Sequence, residues 1–452
     1  MSAFGTQIIL LGLKSIHVMT LRTWNERIDF LAKQNMYPEA LALALSFYEE
    51  QAKAVTGLYG RKLQRKQKVA VKIIEILGVY VDLIMTHLCP EHGKIELLMH
   101  HYKELVPLCV DYCIAVDNRD FLFGKMYERF KADPLAHGVF LESLETYILD
   151  GRLASLTPAI TKSFVNHYAE KQMFTSLESC LVRLDILNLD IHQVMTLCWS
   201  QGLYDAIIYV YNSGMNDYTT PFEDLIVVLQ EAVNRGKQLT DDQIKLGNKL
   251  LVYISCCLAG RAYPWGDIPR DRVADVKTKV FQCVTSLHGK DGTDTVIYPY
   301  LKTLLHFDTR EFLNVLALAF EEQEFNTEYG LSQKQRIVDI LLQIMVKTEG
   351  FSPTQVGALF TFLARQMAKH ENSIMVNRNL FEQVLEHLTN PGDETRMEER
   401  QQALMELLLA GGLAQVNEER VLALAEKSKF YRKTTSILLH QSSTEQPGSD
   451  IG

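Results

Sequence analysis

Four groups of residues have types and spacing suited to chemistry or recognition. His87, Cys89 and His92, with His100 and His101 close behind, offer the nitrogen and sulfur ligands that zinc takes. A structural zinc needs four well-placed ligands, and this cluster supplies three at irregular spacing, so a partly exposed His-rich turn accounts for it. Cys109 and Cys113 lie four apart on one helical face and read as buried small hydrophobes. Arg61, Arg65, Lys68 and Lys72 also fall at helical spacing, which puts four positive charges on one face. They form either the solvated side of a long helix or a docking patch for an acidic partner or an anionic membrane. Tyr263 and Trp265, in a Tyr-Pro-Trp-Gly turn, are the last group. Trp265 either inserts into the core, which its size favours, or serves as an aromatic anchor for a partner.

Catalysis finds no comparable group. The chain has no phosphate-cradling glycine loop, no His-Glu-x-x-His and no Gly-x-Ser-x-Gly elbow, which leaves no residue to nominate as catalytic and no cofactor or metal site to assign. The net charge of −9 argues against nucleic acid as a partner for the surface as a whole. Eight cysteines without a Cys-x-x-Cys pair, and no Asn-x-Ser/Thr acceptor, fit a reduced, cytoplasmic setting. The most apolar stretch, Ile73 to Met85, carries Glu75 and Asp82 and falls short of the roughly 20 apolar residues that cross a bilayer. Membrane association would then go through partners or surface charge.

The elements that would position these groups are helices. A repeated phrase marks their junctions: Tyr37-Pro38-Glu39-Ala40-Leu41, Gly202-Leu203-Tyr204-Asp205-Ala206-Ile207, and a blurred copy at Met173-Phe174. In this reading the aromatics Tyr37, Phe174 and Tyr204 wedge into an elbow, and Ala40 or Ala206 lets the second helix lie close. Start signals support the pattern. Thr23-x-x-Glu26, Thr240-x-x-Gln243, Asp308-x-x-Glu311 and Ser332-x-x-Gln335 resemble capping boxes, while Thr220-Pro221 and Ser352-Pro353 add proline at the first helical position. Phe222, Leu225, Ile226, Leu229 and Val233 make one apolar stripe; Val356, Leu359, Phe360, Leu363 and Met367 make another. The fold class expected is all-α, an α-solenoid of stacked helix-turn-helix repeats. Some ten pairs with axes about 8–10 Å apart would build a curved rod on the order of 100 Å.

The expected organisation is a β hairpin over 1–22 and a first solenoid segment over 23–259. A loop-rich insertion with a helix comes next over 260–295, then a second solenoid segment over 296–440 and a disordered tail over 441–452. In the first segment Gln7 to Leu11 and Ile16 to Leu21 read as strands joined at Gly12-Leu13-Lys14-Ser15, or else as extended chain packed on the first helix. A second turn-rich loop is expected at Gly289 to Asp294.

The junction from Ser15 to Arg27, with Ala32 to Leu41 after it, closely resembles the vacuolar protein sorting-associated protein 8 family, subunits of the CORVET endosomal tethering complex. Gln201 to Ile207, Gly260 to Pro264 and Leu301 to Phe312 are similar to the same family's helical region, with repeats of the clathrin heavy-chain type. The resemblance runs from residue 7 to about 432. It implies a β-propeller before the solenoid and a RING-type zinc domain after it, so that this chain would be a truncated piece carrying the propeller's last strands. It further implies class C core subunits as partners and an early-endosomal Rab GTPase for the full-length protein. Location would be cytoplasmic and peripheral on early endosomes. The function expected is that of a structural tether; a clathrin-like coat or cargo-adaptor module binding peptides, and helical-repeat RNA recognition, are the competing readings.

Overall fold

The computed structural model describes residues 2–4, 7–53, 55–88, 95–236, 238–288, 297–348, 350–369, 378–389, 397–409 and 423. The expected loop at Gly289 to Asp294, the segment 424–440 and the tail over 441–452 lie outside them. The chain divides into two compact units, Met1–Val194 and Met195–Gly452.

The first unit opens with an antiparallel sheet in the order β1 (Ser2–Phe4), β2 (Gln7–Leu11), β3 (Ile16–Thr20). Ile9 faces Val18 and Leu11 faces Ile16, so the hairpin forms as the sequence indicates. The third strand, β1, is too short to show an alternation and was not legible. Nine helices come after the sheet: α1 (Trp24–Lys33), α2 (Tyr37–Tyr48), α3 (Lys62–Leu83), α4 (Ile95–Ala115), α5 (Arg119–Phe121), α6 (Tyr127–Lys131), α7 (Pro134–Leu149), α8 (Pro158–Glu170) and α9 (Phe174–Leu181), among the described residues. Thr23 starts α1 with a full capping box: its amide donates to Glu26 Oε2 at 2.8 Å, and the Glu26 amide donates to Thr23 Oγ1 at 3.3 Å. The unit boundary falls inside α10 (Ile191–Gln201).

One junction recurs between helices. The first helix closes on a residue in the left-handed region: Asn35 (φ 60°), Asp117 (φ 51°), Gln172 (φ 58°) or Gly202 (φ 67°). The next amide reaches back five residues, Met36 to the Leu31 carbonyl at 3.0 Å, Asn118 to Cys113 at 2.9 Å, Met173 to Tyr168 at 3.0 Å and Leu203 to Cys198 at 2.9 Å. This is the Schellman cap, which satisfies the carbonyls a helix end leaves bare. The carbonyl of that same residue then accepts the first bond of the following helix, from Ala40, Leu122, Leu177 or Ile207. Those four donor residues are fully buried. The cap of one helix is thus the start of the next, and the apolar residue five positions after the left-handed one locks the pair.

This register corrects the sequence pattern in one detail. Ala40 is equivalent to Ile207 rather than to Ala206, because the spacing is fixed by the left-handed residue and not by the aromatic. Both Leu41 and Ala206 are buried as well.

The second unit contains α11 (Tyr204–Tyr209), α12 (Thr220–Asn234), α13 (Asp241–Leu258), α14 (Val273–Val284), α15 (Pro299–Phe320), α16 (Glu328–Met345), α17 (Pro353–Lys369), α18 (Arg378–Leu388) and α19 (Met397–Leu409). One core joins Phe222, Leu225, Leu250, Ile254, Val280, Leu304, Phe312, Leu341, Leu363, Val384 and Leu404. Of the starts marked in the sequence, those at Thr240, Asp308 and Ser352 form as capped starts; Pro221 is the second residue of its helix rather than the first, and Ser332 is an exception. Thr240 and Gln243 exchange amide bonds, and Ser352 and Gln355 do the same. Asp308 breaks α15 with φ −151° and ψ 96°, and its carboxylate accepts from the Arg310 and Glu311 amides, restarting the helix. The exception is Ser332. Helix α16 begins earlier, where Thr327 Oγ1 accepts from the Gly330 amide at 3.1 Å, and Ser332 lies inside the first turns.

Candidate functional site

Helix α13 ends on Gly260, at φ 73°, with the Arg261 amide donating to the Cys256 carbonyl at 2.8 Å. Here the cap opens into a loop instead of a helix. Proline at 264 and 269 explains this, since neither can donate and each steers the residue before it away from the helical region. A Cβ on residue 260 would stand 2.7 Å from Val273 Cγ1, so the close return of the chain needs glycine there.

A polar network fixes the loop from below. The Asn212 side chain donates to the Tyr263 carbonyl at 3.1 Å and accepts from the buried Tyr253 hydroxyl at 3.1 Å. That hydroxyl also reaches the Tyr218 carbonyl at 2.7 Å. Tyr263 donates its hydroxyl to Asp205 Oδ1 at 2.7 Å, and Asp205 Oδ2 is paired with Lys249 Nζ at 2.7 Å. Asp205 is the acid of the second elbow phrase, and tying down this loop is what it does. Burial pushes the Tyr253 hydroxyl far above the ordinary phenol range, so it stays a donor at all physiological pH.

Trp265 sits on top of this base with 53% of its surface exposed. The core-inserted position that its size favours is therefore corrected. Tyr263 turns inward, half-buried against the core, and Trp265 is the more exposed of the two. An exposed indole on a loop already held by hydrogen bonds is a pre-ordered contact, because little side-chain and backbone entropy remains to be lost on binding.

The basic residues of α3 are less available than their spacing indicates. Lys72 is only 14% exposed in its side chain and bridges Asp29 of α1 at 2.8 Å and Glu75 at 3.1 Å. Burial pushes its pKa down, and the hydrogen bonds to Asp29 and Glu75 raise it more, leaving it above the usual lysine value. Arg65 pairs with Glu50 at 3.4 Å, Lys68 donates to the Tyr59 carbonyl at 3.2 Å, and Arg61 precedes the first turn of α3. Three of the four charges thus join neighbouring segments of the first unit.

At the elbows the aromatics are half-buried. Tyr37 stacks on Tyr80 with ring centroids 5.3 Å apart, and the Tyr204 ring lies 3.5 Å from where a Cβ on Gly202 would be. Phe174 occupies the same position in the third junction. The Asp117 junction escaped the sequence search because Arg119 stands where the others have an aromatic. The network residues Asn212, Tyr253 and Lys249 gave no signal at all, since each is an ordinary member of a helix until the fold brings it under the loop.

Of the histidine group, the side chain of His87, together with Cys89 and His92, lies outside the described residues. His100 is exposed beside Glu104 at 3.3 Å, and burial lowers the pKa of His101. Cys109 and Cys113 are fully buried, and burial pushes both thiols up, Cys113 to about 12. Among the described residues no group of three or more His, Cys, Asp or Glu side chains is placed to hold a metal ion, and no described helix is long and apolar enough to cross a membrane.

Stacked helical hairpins with common elbows and a propped aromatic loop define a helical-repeat protein. Residues 139–320 match the family model described as Vps8 central TPR. The chain is 52% identical over 432 residues to the vacuolar protein sorting-associated protein 8 homolog of Homo sapiens, covering 95% of this chain and 30% of that protein. The Drosophila melanogaster homolog is 34% identical over 433 residues, covering 94% and 32%. The Saccharomyces cerevisiae protein is 24% identical over 320 residues, covering 65% and 25%. The chain belongs to the Vps8 family, and it spans about a third of the length of the curated relatives it matches. No solved structure matches it.

Proposed function

We propose that this chain is a scaffold segment of a protein-sorting subunit, working in a CORVET-like complex that tethers membranes at the early endosome. The relatives named for vacuolar protein sorting support the pathway. The observation that carries the scaffold role is the Trp265 loop, an exposed aromatic fixed on a polar base within a body of packed helices. Class C core subunits are the partners such a segment would hold, with membrane contact made through them. An early-endosomal Rab GTPase belongs to the longer proteins of the family. The test is co-purification of this chain, and of its full-length counterpart, with reconstituted class C core subunits. Stoichiometric association supports the reading, and failure of both forms to associate overturns it.

A further inference from the structure

Residues 51–74 hold seven lysines and arginines and no aspartate or glutamate. The fold neutralises part of that charge. Lys62 and Arg65 share Glu50 at 2.9 and 3.4 Å, and Lys72 bridges Asp29 and Glu75. Lys53, Arg61, Lys66 and Lys68 are paired with no carboxylate among the described residues. Lys68 donates to the Tyr59 carbonyl, which holds it in place without cancelling its charge, and Lys66 stands 5.0 Å from the centre of the Tyr48 ring. Exposed Glu49 is one carboxylate against these four cations. Two members of the basic stripe, Arg61 and Lys68, thus belong to a wider positive surplus that begins at Lys53.

The same edge of the first unit exposes apolar side chains. Tyr59 is 73% exposed, and Leu63 and Val71 are each 69% exposed. Leu63, Gln67 and Val71 follow one another at four-residue steps, so they form one ridge of α3, about 12 Å long at the helical rise. Lys68 is three residues before Val71 and is therefore its neighbour on the helix surface. Val69 and Ile73 point into the unit and are fully buried.

A ridge on one helix is convex. Peptides and small ligands need a concavity or an open strand edge, whereas a lipid surface is broad and yielding and takes a convex face. There tyrosine settles at the headgroup level, aliphatic side chains reach the acyl boundary, and lysine and arginine meet anionic headgroups. At physiological salt, charges beyond about 8 Å are largely screened, so this local surplus and not the chain's net −9 decides the contact.

We infer that the N-terminal half of α3 and the turn before it form a direct docking surface for an anionic lipid bilayer. Arg61 and Lys68 meet the headgroups, Lys53 and Lys66 add to the field, and Tyr59, Leu63 and Val71 enter the interface. This contact is additional to any made through partner subunits, and it does not depend on which assembly the chain serves.

The test is co-flotation of the whole chain with phosphatidylcholine vesicles, with and without roughly 30 mol% phosphatidylserine. Binding is expected to the phosphatidylserine vesicles alone, and about 1 M salt, where screening acts within about 3 Å, should lower it at least tenfold. These two arms need no variant. The double variant Arg61→Glu, Lys68→Glu should bind at least about tenfold more weakly, and Leu63→Ser about threefold or more. Lys103→Glu with Lys162→Glu, the same change of charge at exposed positions elsewhere in the first unit, should leave binding unchanged. Circular dichroism checks that each variant is folded. Equal binding to both vesicle types or to neither, undiminished binding by the Arg61 and Lys68 variant, or an equal loss in the Lys103 and Lys162 variant overturns the inference. Vesicle binding indifferent to Leu63→Ser overturns it as well, and saturable binding of a polyglutamate peptide would then make an acidic protein segment the occupant.

Discussion

The junctions at Gly202 and Gly260 begin alike and end differently. Both close a helix on a left-handed glycine, and in both the next amide bonds five residues back. After Gly202, buried Leu203 carries the chain straight into α11. After Gly260 the chain meets Pro264 and Pro269 and does not become helical until Val273. The cap is common to both, and the residues after it decide whether the junction stiffens a hairpin or presents a side chain. In the first unit the Asn35, Asp117 and Gln172 junctions all take the stiffening form, whereas Gly151, capped in the same way, releases a short loop before α8.

The comparison breaks most visibly at the elbow. Ile207→Ala removes a fully buried side chain at the locking position and should cost about 2–5 kcal/mol, seen as a lower urea midpoint. Asn212→Ala should cost about 1–3 kcal/mol, because it removes the side-chain donor to the Tyr263 carbonyl, while the Tyr253 hydroxyl keeps the Tyr218 carbonyl at 2.7 Å. It should also open the 261–272 loop to limited proteolysis, which Ile207→Ala at matched stability should not do.

A smaller effect distinguishes capping from packing. Burial pushes the Asp217 carboxyl up, but its hydrogen bonds from the side chains and amides of Thr220 and Thr219 outweigh this and hold its pKa below the ordinary value of 3.8. A depressed folded-state pKa contributes stability that is present above pH 3.8 and lost as pH falls through the folded value. Asp217→Ala should therefore cost about 1 kcal/mol at pH 7, with the gap from the parent closing below pH 3.8 in acid denaturation. The smallest change sharpens the elbow itself. Gln172→Gly should stabilise by roughly 0.5–1 kcal/mol, since a residue with a Cβ is strained at φ 58°, while Gly202→Ala should destabilise by a similar amount.

Much of the helical architecture was legible because its signals are local. Thr23, Thr240, Asp308 and Ser352 each act within three residues, and the Phe222 and Leu359 stripes are set by helical period alone. The failures are cases where residues beyond that three-residue reach decide. Ser332 has the right neighbour at Gln335, yet Thr327 captures the helix start first. Lys334, which no sequence signal singled out, is fully buried, 5.6 Å from the Phe320 ring and 3.4 Å from Asn326 Oδ1, with burial pushing its pKa down. Of the two aromatics in the Tyr-Pro-Trp-Gly turn, only the fold could tell which turns in, because Asp205 and Asn212 reach Tyr263 from 58 and 51 residues away. The basic stripe was legible as a stripe, but the carboxylates that occupy it, Glu50 and Asp29, come from other segments.

The most direct measurement is the affinity of the Trp265→Ala variant for reconstituted class C core subunits, read beside its thermal unfolding. Loss of a pre-ordered anchor should cost at least about 2 kcal/mol of binding, with a much smaller change in the unfolding midpoint because more than half of the residue's surface is exposed. Equal affinity of variant and parent would contradict the account.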